Sequence, residues 1–311
     1  MNPRPETILS LELPYRDHLV LQRTVFKGGS GPKAVITSGI HGDEIEGLYV
    51  CHRLARWLSA HPKALRGRVE LFPAVNPLGL KTLQRAVPVF ESDLNRNFPG
   101  HPEGLVPQRI ADAVMRHTDD AALVIDIHAS NIYLRELPQV RISKPYARRL
   151  VPLARQMNLD VIWVHGAATV LEATLAHSLN HSGIACLVVE MGVGMRITPA
   201  FTDQLVTGIL NVWRRLGVLD PKIDIPELTH QPRLANDKNV HYLNAETSGL
   251  FAPSVDKLSV VRKNQVLGEI VSPLRSEVLS VVRSPVDGLL FTLREYPLVY
   301  EGSLMARIMA S

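Results

Sequence analysis

Between residues 34 and 216, short apolar runs alternate with longer amphipathic segments, and this alternation restricts the fold more than any other feature. The short runs carry β-branched residues, which favour strands, whereas the longer segments repeat apolar residues at helical spacing. We predict strands over Ala34–Thr37, Val69–Val75, Ala121–Ile127, Asp160–Val164 and Ala185–Val189, and helices over about Glu44–Ser59, Pro107–Arg116, Pro145–Met157, Val170–Asn180 and Phe201–Leu216. This order predicts an α/β fold with a mixed, mostly parallel sheet and helices on both faces.

The segments on either side of this unit have a different pattern. Residues Thr7–Lys27 alternate apolar and polar side chains, which predicts antiparallel strands. Pro221–Pro232 is a proline-punctuated linker, and beyond it short strands recur without a helical period. We therefore predict two domains, an α/β domain over residues 1–225 and a small all-β domain over residues 226–311.

The composition is that of an ordinary globular protein with a full core, since 46% of the 311 residues are hydrophobic and 21% are charged. The net charge of +4 comes from scattered basic residues without aromatic interleaving, so nucleic acid is not a predicted partner. No run approaches the ~18 apolar residues of a membrane span, and no signal-peptide core follows Met1. Cys51 and Cys186 are interpreted as buried small hydrophobes, which suits the reducing cytoplasm. The oligomeric state stays open, a homo-oligomer included.

Polar side chains that could carry chemistry follow the predicted strands. His41 comes after one strand, His128 ends a second and Glu190 ends a third. In open α/β sheets, ligands bind outside the carboxyl ends of the strands, so these residues should meet at one edge. Taken singly, His128 and Glu190 are more typical of strand-end residues without a function. The occurrence of His41, His128 and Glu190 at three strand ends together favours a functional site.

His41 and Glu44 are three residues apart at a turn from strand to helix. Zinc suits such a pair, because it accepts nitrogen and oxygen donors at about 2.0–2.2 Å. The alternative is that Asp43 or Glu44 only caps the following helix, where acidic residues are favourable. A catalytic zinc needs three protein ligands and an open position for water. His41, Glu44 and His128 supply these ligands, which leaves Glu190 as a general base.

Four motifs together resemble the aspartoacylase/succinylglutamate desuccinylase family of the zinc carboxypeptidase superfamily. They are His41-Gly-Asp-Glu44, Asp93-Leu-Asn-Arg-Asn-Phe-Pro-Gly100, Asp126-Ile-His128 and Val189-Glu-Met-Gly192. The resemblance implies that His41, Glu44 and His128 bind one zinc ion per chain and that Glu190 is the general acid/base. It also implies an appended small β domain, which members of this family carry.

The same resemblance implies the substrate contacts. Asn95 and Arg96 match the pair that binds the substrate carboxylate, for which a guanidinium fork is suited. Arg85 matches the arginine that polarises the scissile carbonyl and stabilises the oxyanion. The alternative is that Arg85 and Arg96 are only charged, solvent-exposed residues of a loop.

We therefore expect a zinc-dependent hydrolase that cleaves the amide bond of an N-acyl amino acid or a related small carboxylate. In the implied mechanism, zinc-bound water activated by Glu190 attacks the acyl carbonyl, and Glu190 then protonates the leaving amine. One alternative is a metallocarboxypeptidase acting on short peptides. Another is a non-catalytic zinc-binding scaffold, which the presence of Glu190 and Arg96 argues against.

Some residues have no assigned role. A tyrosine near the active site is common in the superfamily, and Tyr296 and Tyr300 are candidates, but no motif anchors either. The segment Tyr133–Arg149 shows no pattern that assigns it. Further candidate substrate contacts are Arg135, Arg141, His177 and His181.

Overall fold

The computed structural model describes residues 5–166 and 172–311. Within them the helices are α1 Glu46–Ala60, α2 Pro77–Thr82, α3 Val106–Arg116, α4 Ala147–Ala154, α5 Leu175–His181 and α6 Pro199–Arg215. The first nine strands are β1 Pro5–Glu12, β2 His18–Lys27, β3 Lys33–Ser38, β4 Arg68–Phe72, β5 Leu123–His128, β6 Leu134–Ser143, β7 Val161–His165, β8 Cys186–Gly192 and β9 Arg233–Asn236. The others are β10 Val240–Asn244, β11 Gly249–Pro253, β12 Val260–Val261, β13 Val266–Ser272, β14 Glu277–Arg283, β15 Gly288–Arg294, β16 Leu298–Val299 and β17 Leu304–Ala310.

A mixed sheet forms the centre of the molecule. Its main path runs β1-β2-β4-β3-β5-β8-β6-β15-β17-β10, with β7, β9 and β12 paired alongside. The pairs β4-β3, β3-β5 and β5-β8 are parallel, so these strands end at the same edge. The predicted mixed α/β sheet is confirmed, and its parallel centre is what brings strand ends together.

Helices cover both faces of this sheet. Helices α1 and α6 pack on one face through Val50, Leu54 and Ile209, and α3 and α5 pack on the other through Ile110 and Leu179. Successive residues of β3 alternate between the two clusters, as expected for a strand buried on both sides. The central strands are therefore packed on both faces, and this packing fixes where each strand ends.

The C-terminal strands extend the main sheet as well as forming one of their own. Strand β15 pairs with β6, and β9 pairs with β7. A second sheet has the order β14-β13-β11-β16. A shared apolar cluster, which includes Trp163 and Phe291, joins the two regions. The additional β region is confirmed, whereas the domain boundary at residue 225 stays a prediction.

Two elements differ from the sequence-based expectation. The unassigned segment Tyr133–Arg149 contains the ten-residue strand β6. Helix α5 begins at Leu175, because the Thr174 side chain accepts a hydrogen bond from the backbone N–H of His177 and caps it there. The predicted start of that helix, Val170, lies outside the described residues. None of the helices in the described ranges is long and apolar enough to cross a membrane.

Candidate active site

The parallel strands deliver three predicted site residues to one edge of the sheet. His41 lies in the loop after β3, His128 is the last residue of β5, and Glu190 lies near the end of β8. His128 and Glu190 are neighbours in the parallel register of β5 and β8. All three are buried, with exposures of 3%, 4% and 8% respectively. The structure therefore brings together the strand-end residues that the sequence singled out.

Glu44 lies between the two histidines. Its Oε1 is 2.8 Å from Nδ1 of His41, and its Oε2 is 2.9 Å from Nδ1 of His128. One ligand atom from each of the three residues lies within 4.8 Å of the others. Two imidazoles and a carboxylate that converge in this way could hold a metal ion.

Each histidine contacts a second carboxylate through its other ring nitrogen. Nε2 of His41 lies 3.1 Å from Asp93 Oδ1, and Nε2 of His128 lies 2.9 Å from Asp126 Oδ2. Such outer carboxylates orient a metal-binding imidazole and fix its tautomer. Sequence reasoning gave Asp93 and Asp126 no role, although both lie inside the motifs that carry the family resemblance.

The ionisation of this cluster is set by burial and by mutual attraction. Burial alone would raise the pKa of Glu44, but His41 and His128 outweigh it and hold that pKa well below its usual value. Burial opposes the charged form of His128, yet Asp126 and Glu44 raise its pKa well above the usual value. The pKa of His41 is likewise raised, since Glu44 and Asp93 outweigh its burial. The cluster thus stabilises positive charge between buried carboxylates, and a metal cation would supply such charge.

Close packing holds the His41 loop in place. The backbone N–H of Gly42 donates to the carbonyl of Gln84 at 3.0 Å. A Cβ at Gly42 would lie 1.9 Å from the carbonyl carbon of Gly79, so a side chain there would push the two segments apart. This contact brings Arg85 to the cluster, where it donates to Glu44 Oε1 at 3.0 Å and to Asp93 Oδ2 at 3.2 Å.

The predicted carboxylate-binding pair lines a cavity beside Glu190. Asn95 Oδ1 accepts a hydrogen bond from the backbone N–H of Leu175 at 3.0 Å, and Arg96 donates to the carbonyl of Asn95 at 2.7 Å. The cavity has a volume of about 200 Å³ and its walls include Asn95, Arg96, Arg141, His177 and Glu190. A small polar ligand would therefore contact both the predicted base and the predicted anchor.

Glu190 itself is held at both carboxylate oxygens. The backbone N–H of Ser130 donates to Oε2 at 2.7 Å, and Nη1 of Arg141 donates to Oε1 at 3.1 Å. Burial raises the pKa of Glu190 and outweighs the opposing attraction of Arg141. A raised pKa brings a carboxylate closer to the range in which it can both take and give a proton near neutral pH.

Other candidates lie away from this arrangement. Tyr296 packs edge-on against Tyr133 at 5.6 Å between ring centroids, and Tyr300 is 76% exposed. Arg135 pairs with Glu295 at 3.4 Å. Of the described residues that line the cavity, none is a tyrosine from the C-terminal region. Arg141 and His177 do line it, whereas His181 is not among its described lining residues, and a substrate contact by any of the three stays a prediction.

The fold and the site define an α/β protein with a buried His-Glu-His cluster suited to a metal and a buried glutamate beside a small cavity. Residues 30–216 match the model of the succinylglutamate desuccinylase/aspartoacylase catalytic domain, and the chain belongs to this family. The predicted family is therefore confirmed. It is a family of N-acyl amino acid deacylases, so the chain is grouped with hydrolases.

Individual relatives agree with this assignment. The chain is 29% identical over 287 residues to N-alpha-acetyl-L-2,4-diaminobutyric acid deacetylase of Halomonas elongata, covering 88% of this chain and 80% of the relative. A succinylglutamate desuccinylase/aspartoacylase structure from Rhodobacter sphaeroides is 26% identical, with a TM-score of 0.80, covering 100% of this chain and 96% of that one. The product-bound ectoine utilization protein EutE (DoeB) from Ruegeria pomeroyi has a TM-score of 0.82 at 23% identity with the same coverage, which supports the fold.

Proposed function

We propose that this protein is a zinc-dependent deacylase that hydrolyses the amide bond of an N-acyl amino acid or a related small carboxylate. The observation that carries the proposal is the convergence of His41, Glu44 and His128 next to a buried glutamate on the wall of a small cavity. Family membership supports the reaction class, since family members are named as desuccinylases, an aspartoacylase and a deacetylase.

His41, Glu44 and His128 would hold one zinc ion per chain. Two imidazole nitrogens and one carboxylate oxygen are a donor set that zinc accepts in catalytic sites. The contacts of Nε2 with Asp93 and Asp126 leave Nδ1 of each ring directed at Glu44. When bound, zinc would supply a Lewis acid that acidifies water and polarises the acyl carbonyl.

Glu190 would move the protons. Each of its oxygens accepts one hydrogen bond from the protein, which leaves lone pairs to accept a proton from the attacking water. The same carboxyl group would then give that proton to the leaving amine nitrogen. Burial of Glu190 limits its contact with bulk water, so the proton stays available for this second transfer.

The arginines would bind negative charge at two different points. Arg85 lies against Glu44 and Asp93 and has further N–H donors for the oxygen that becomes negative during attack. Arg96 and Asn95 line the cavity, where they would hold the carboxylate of the amino acid part of the substrate.

A hydrolysis panel with the zinc-loaded protein tests the proposed function. It contains acetyl-, succinyl- and formyl-amino acids, N-alpha-acetyl-L-2,4-diaminobutyrate and unmodified dipeptides. Cleavage of at least one N-acyl amino acid in preference to the dipeptides supports the deacylase. Preference for dipeptides would instead identify a metallocarboxypeptidase, and zinc binding without hydrolysis of any member would identify a scaffold.

Arg96→Lys is expected to raise KM more than it lowers kcat. Lysine keeps the positive charge but loses the planar fork that matches a carboxylate, so ground-state binding suffers most. The measurement compares free-acid and amidated forms of the best substrate in wild type and variant. The amidated form should be poor for wild type and should lose little more in Arg96→Lys. Equal hydrolysis of both forms by wild type would show that Arg96 does not bind a carboxylate.

Zinc affinity is expected to fall as the pH decreases through the raised pKa values of His41 and His128. Below these values a proton occupies the nitrogen that the metal needs, so metal and proton compete. Asp126→Asn removes a carboxylate that raises the pKa of His128, so the acid-induced loss should move to lower pH. At alkaline pH the same variant should bind zinc about 10–100-fold more weakly, because the imidazole loses its orienting partner.

Zinc titration against a chromophoric chelator, extended from roughly pH 6 to well above the ordinary pKa of histidine, measures both effects. Asp112→Asn is the control, since Asp112 pairs with Arg116 on the surface of α3. An affinity that does not change with pH in the wild type would contradict the ligand assignment.

We also propose a cytoplasmic location. Cys51 and Cys186 are both free and buried, as suits a reducing compartment. Labelling of intact cells that express the tagged protein, before and after permeabilisation, tests this proposal.

A further inference from the structure

A group of four charged residues, two buried glutamates and two partly buried arginines, connects the C-terminal strands with Glu190. Its centre is Glu136 on β6, which has no exposed surface. Nη2 of Arg141 contacts both oxygens of Glu136 at 2.8 Å, and Nη1 of Arg307 contacts Oε1 at 2.7 Å. The Thr292 hydroxyl donates to the same oxygen at 3.0 Å. Glu136 therefore holds two guanidinium groups at once.

Arg141 is shared between two carboxylates. While Nη2 is bound to Glu136, Nη1 donates to Oε1 of Glu190 at 3.1 Å. The guanidinium also lies over the ring of Trp163, 5.5 Å from its centroid, and that of Arg307 lies 5.3 Å from the same centroid. These contacts hold the guanidinium of Arg141 on three sides. They therefore set the direction from which Nη1 donates to Glu190.

The charges of this group balance. Glu136 and Glu190 carry two negative charges when ionised, and Arg141 and Arg307 carry two positive charges. Burial would raise the pKa of Glu136, but Arg141 and Arg307 lower it, so this carboxylate stays ionised. Without Arg307, two buried carboxylates would compete for the single guanidinium of Arg141.

The topology explains how a residue so near the end of the chain reaches the site. Strand β15 pairs with β6, with Thr292 opposite Glu136, and β17 pairs with β15, with Arg307 opposite Thr292. Arg307 is therefore linked to the site across two strand pairs, and it is not among the described residues that line the cavity.

We propose that Glu136 and Arg307 are positioning residues for Glu190. Arg307 neutralises part of the charge of Glu136, which leaves one nitrogen of Arg141 available to Glu190. That nitrogen holds the Glu190 carboxylate at a defined angle in the cavity wall. This inference rests on the proposed function in one respect, the role of Glu190 as the base. The C-terminal strands thereby contribute to the reaction through the alignment of Glu190, in addition to packing.

Arg307→Met tests the proposal, because methionine keeps much of the volume and removes the charge. We expect kcat to fall by about 10–10²-fold with little change in KM or zinc content, as for a misaligned reacting group. Arg307→Lys restores the charge and should recover most of the loss. Arg294→Met is the matched control, since Arg294 bonds to the carbonyls of Tyr296 and Leu298 in the same region and should keep the wild-type kcat.

A double-mutant cycle separates positioning from a structural role. If Arg307 acts through Glu190, Arg307→Met should cost little further activity in a Glu190→Gln background. An equal fractional loss in both backgrounds would overturn the proposal, and so would an unchanged kcat in Arg307→Met. If Arg307→Met does not fold, Glu136→Gln with the same cycle takes its place.

A crystal structure of the Arg307→Met protein gives a readout that does not depend on activity. The contact between Arg141 Nη1 and Glu190 Oε1, 3.1 Å in the wild type, should be broken or redirected. An unchanged contact would overturn the proposal. If Glu190→Gln keeps wild-type turnover, the proposed role of Glu190 fails, and the crystal structure still decides whether Arg307 orients it.

Discussion

Replacing Glu190 by glutamine is expected to lower kcat by about 10²–10⁴-fold while the zinc content stays at one ion per chain. Glutamine has nearly the same shape and can still accept the hydrogen bond from Ser130, but it cannot take a proton from water. Because His41, Glu44 and His128 are unchanged, the metal should remain. Steady-state kinetics and elemental analysis of the same preparation measure the two quantities.

Glu70→Gln is the matched control for this experiment. Glu70 is also a fully buried glutamate in ion pairs, with Arg23 and Arg68, but it lies on β4 away from the cavity. Its replacement should affect stability and leave kcat per folded molecule unchanged. If Glu190→Gln loses the metal instead, Glu190 is a ligand and the roles of Glu44 and Glu190 must be exchanged.

The fold and the strand-end residues could be predicted because both follow from local patterns. The strands β3, β5 and β8 are mostly apolar, as buried parallel strands require, and a His or Glu lies near or just after the carboxyl end of each. In a parallel sheet the carboxyl ends of neighbouring strands lie at the same edge, so the strand assignment alone predicts that these residues meet. The roles of Arg85, Asn95 and Arg96 came from the family resemblance and stay predictions.

Strand β6 could not be predicted, because the charges of Glu136 and Arg141 are balanced in part by residues far away in sequence. These two residues pair with each other. In addition, Arg141 pairs with Glu190, 49 residues away, and Glu136 pairs with Arg307, 171 residues away. A window along the sequence therefore shows a polar segment, although the strand is largely buried. The same separation in sequence hides the connection between Arg307, on the last strand, and Glu190. The strand order β6-β15-β17 reveals this connection.

The orienting carboxylates were missed for a different reason. Asp126 precedes His128 by two residues, so the strand places both side chains on one face, where Asp126 bonds to the ring and to Thr37 Oγ1 at 2.8 Å. That spacing was visible in the sequence and could have predicted the pair. Asp93 lies 52 residues after His41 in a long loop, and no local rule places it beside the imidazole.

Removing either imidazole of the cluster is expected to abolish both zinc binding and turnover. His41→Ala and His128→Ala each leave two of the three proposed ligands, and a catalytic zinc site is built from three. Activity should then fall to the level of the Glu190→Gln protein or below it, because the electrophile and the activated water are lost together. Elemental analysis after dialysis, beside kinetics in buffer without added metal, tests both parts.

His128→Ala should lower the free energy of unfolding of the metal-free protein more than His41→Ala does. His128→Ala leaves Glu44 and Asp126 buried without their shared partner, which in the metal-free protein costs about 3–5 kcal/mol. His41→Ala should cost less, because Asp93 is partly exposed and also contacts Arg85. His61→Ala is the control, since its ring bonds to the Trp57 carbonyl at the end of α1, and it should keep full zinc content. Full zinc occupancy in a folded His41→Ala or His128→Ala protein would refute the metal assignment and, with it, the proposed hydrolytic mechanism.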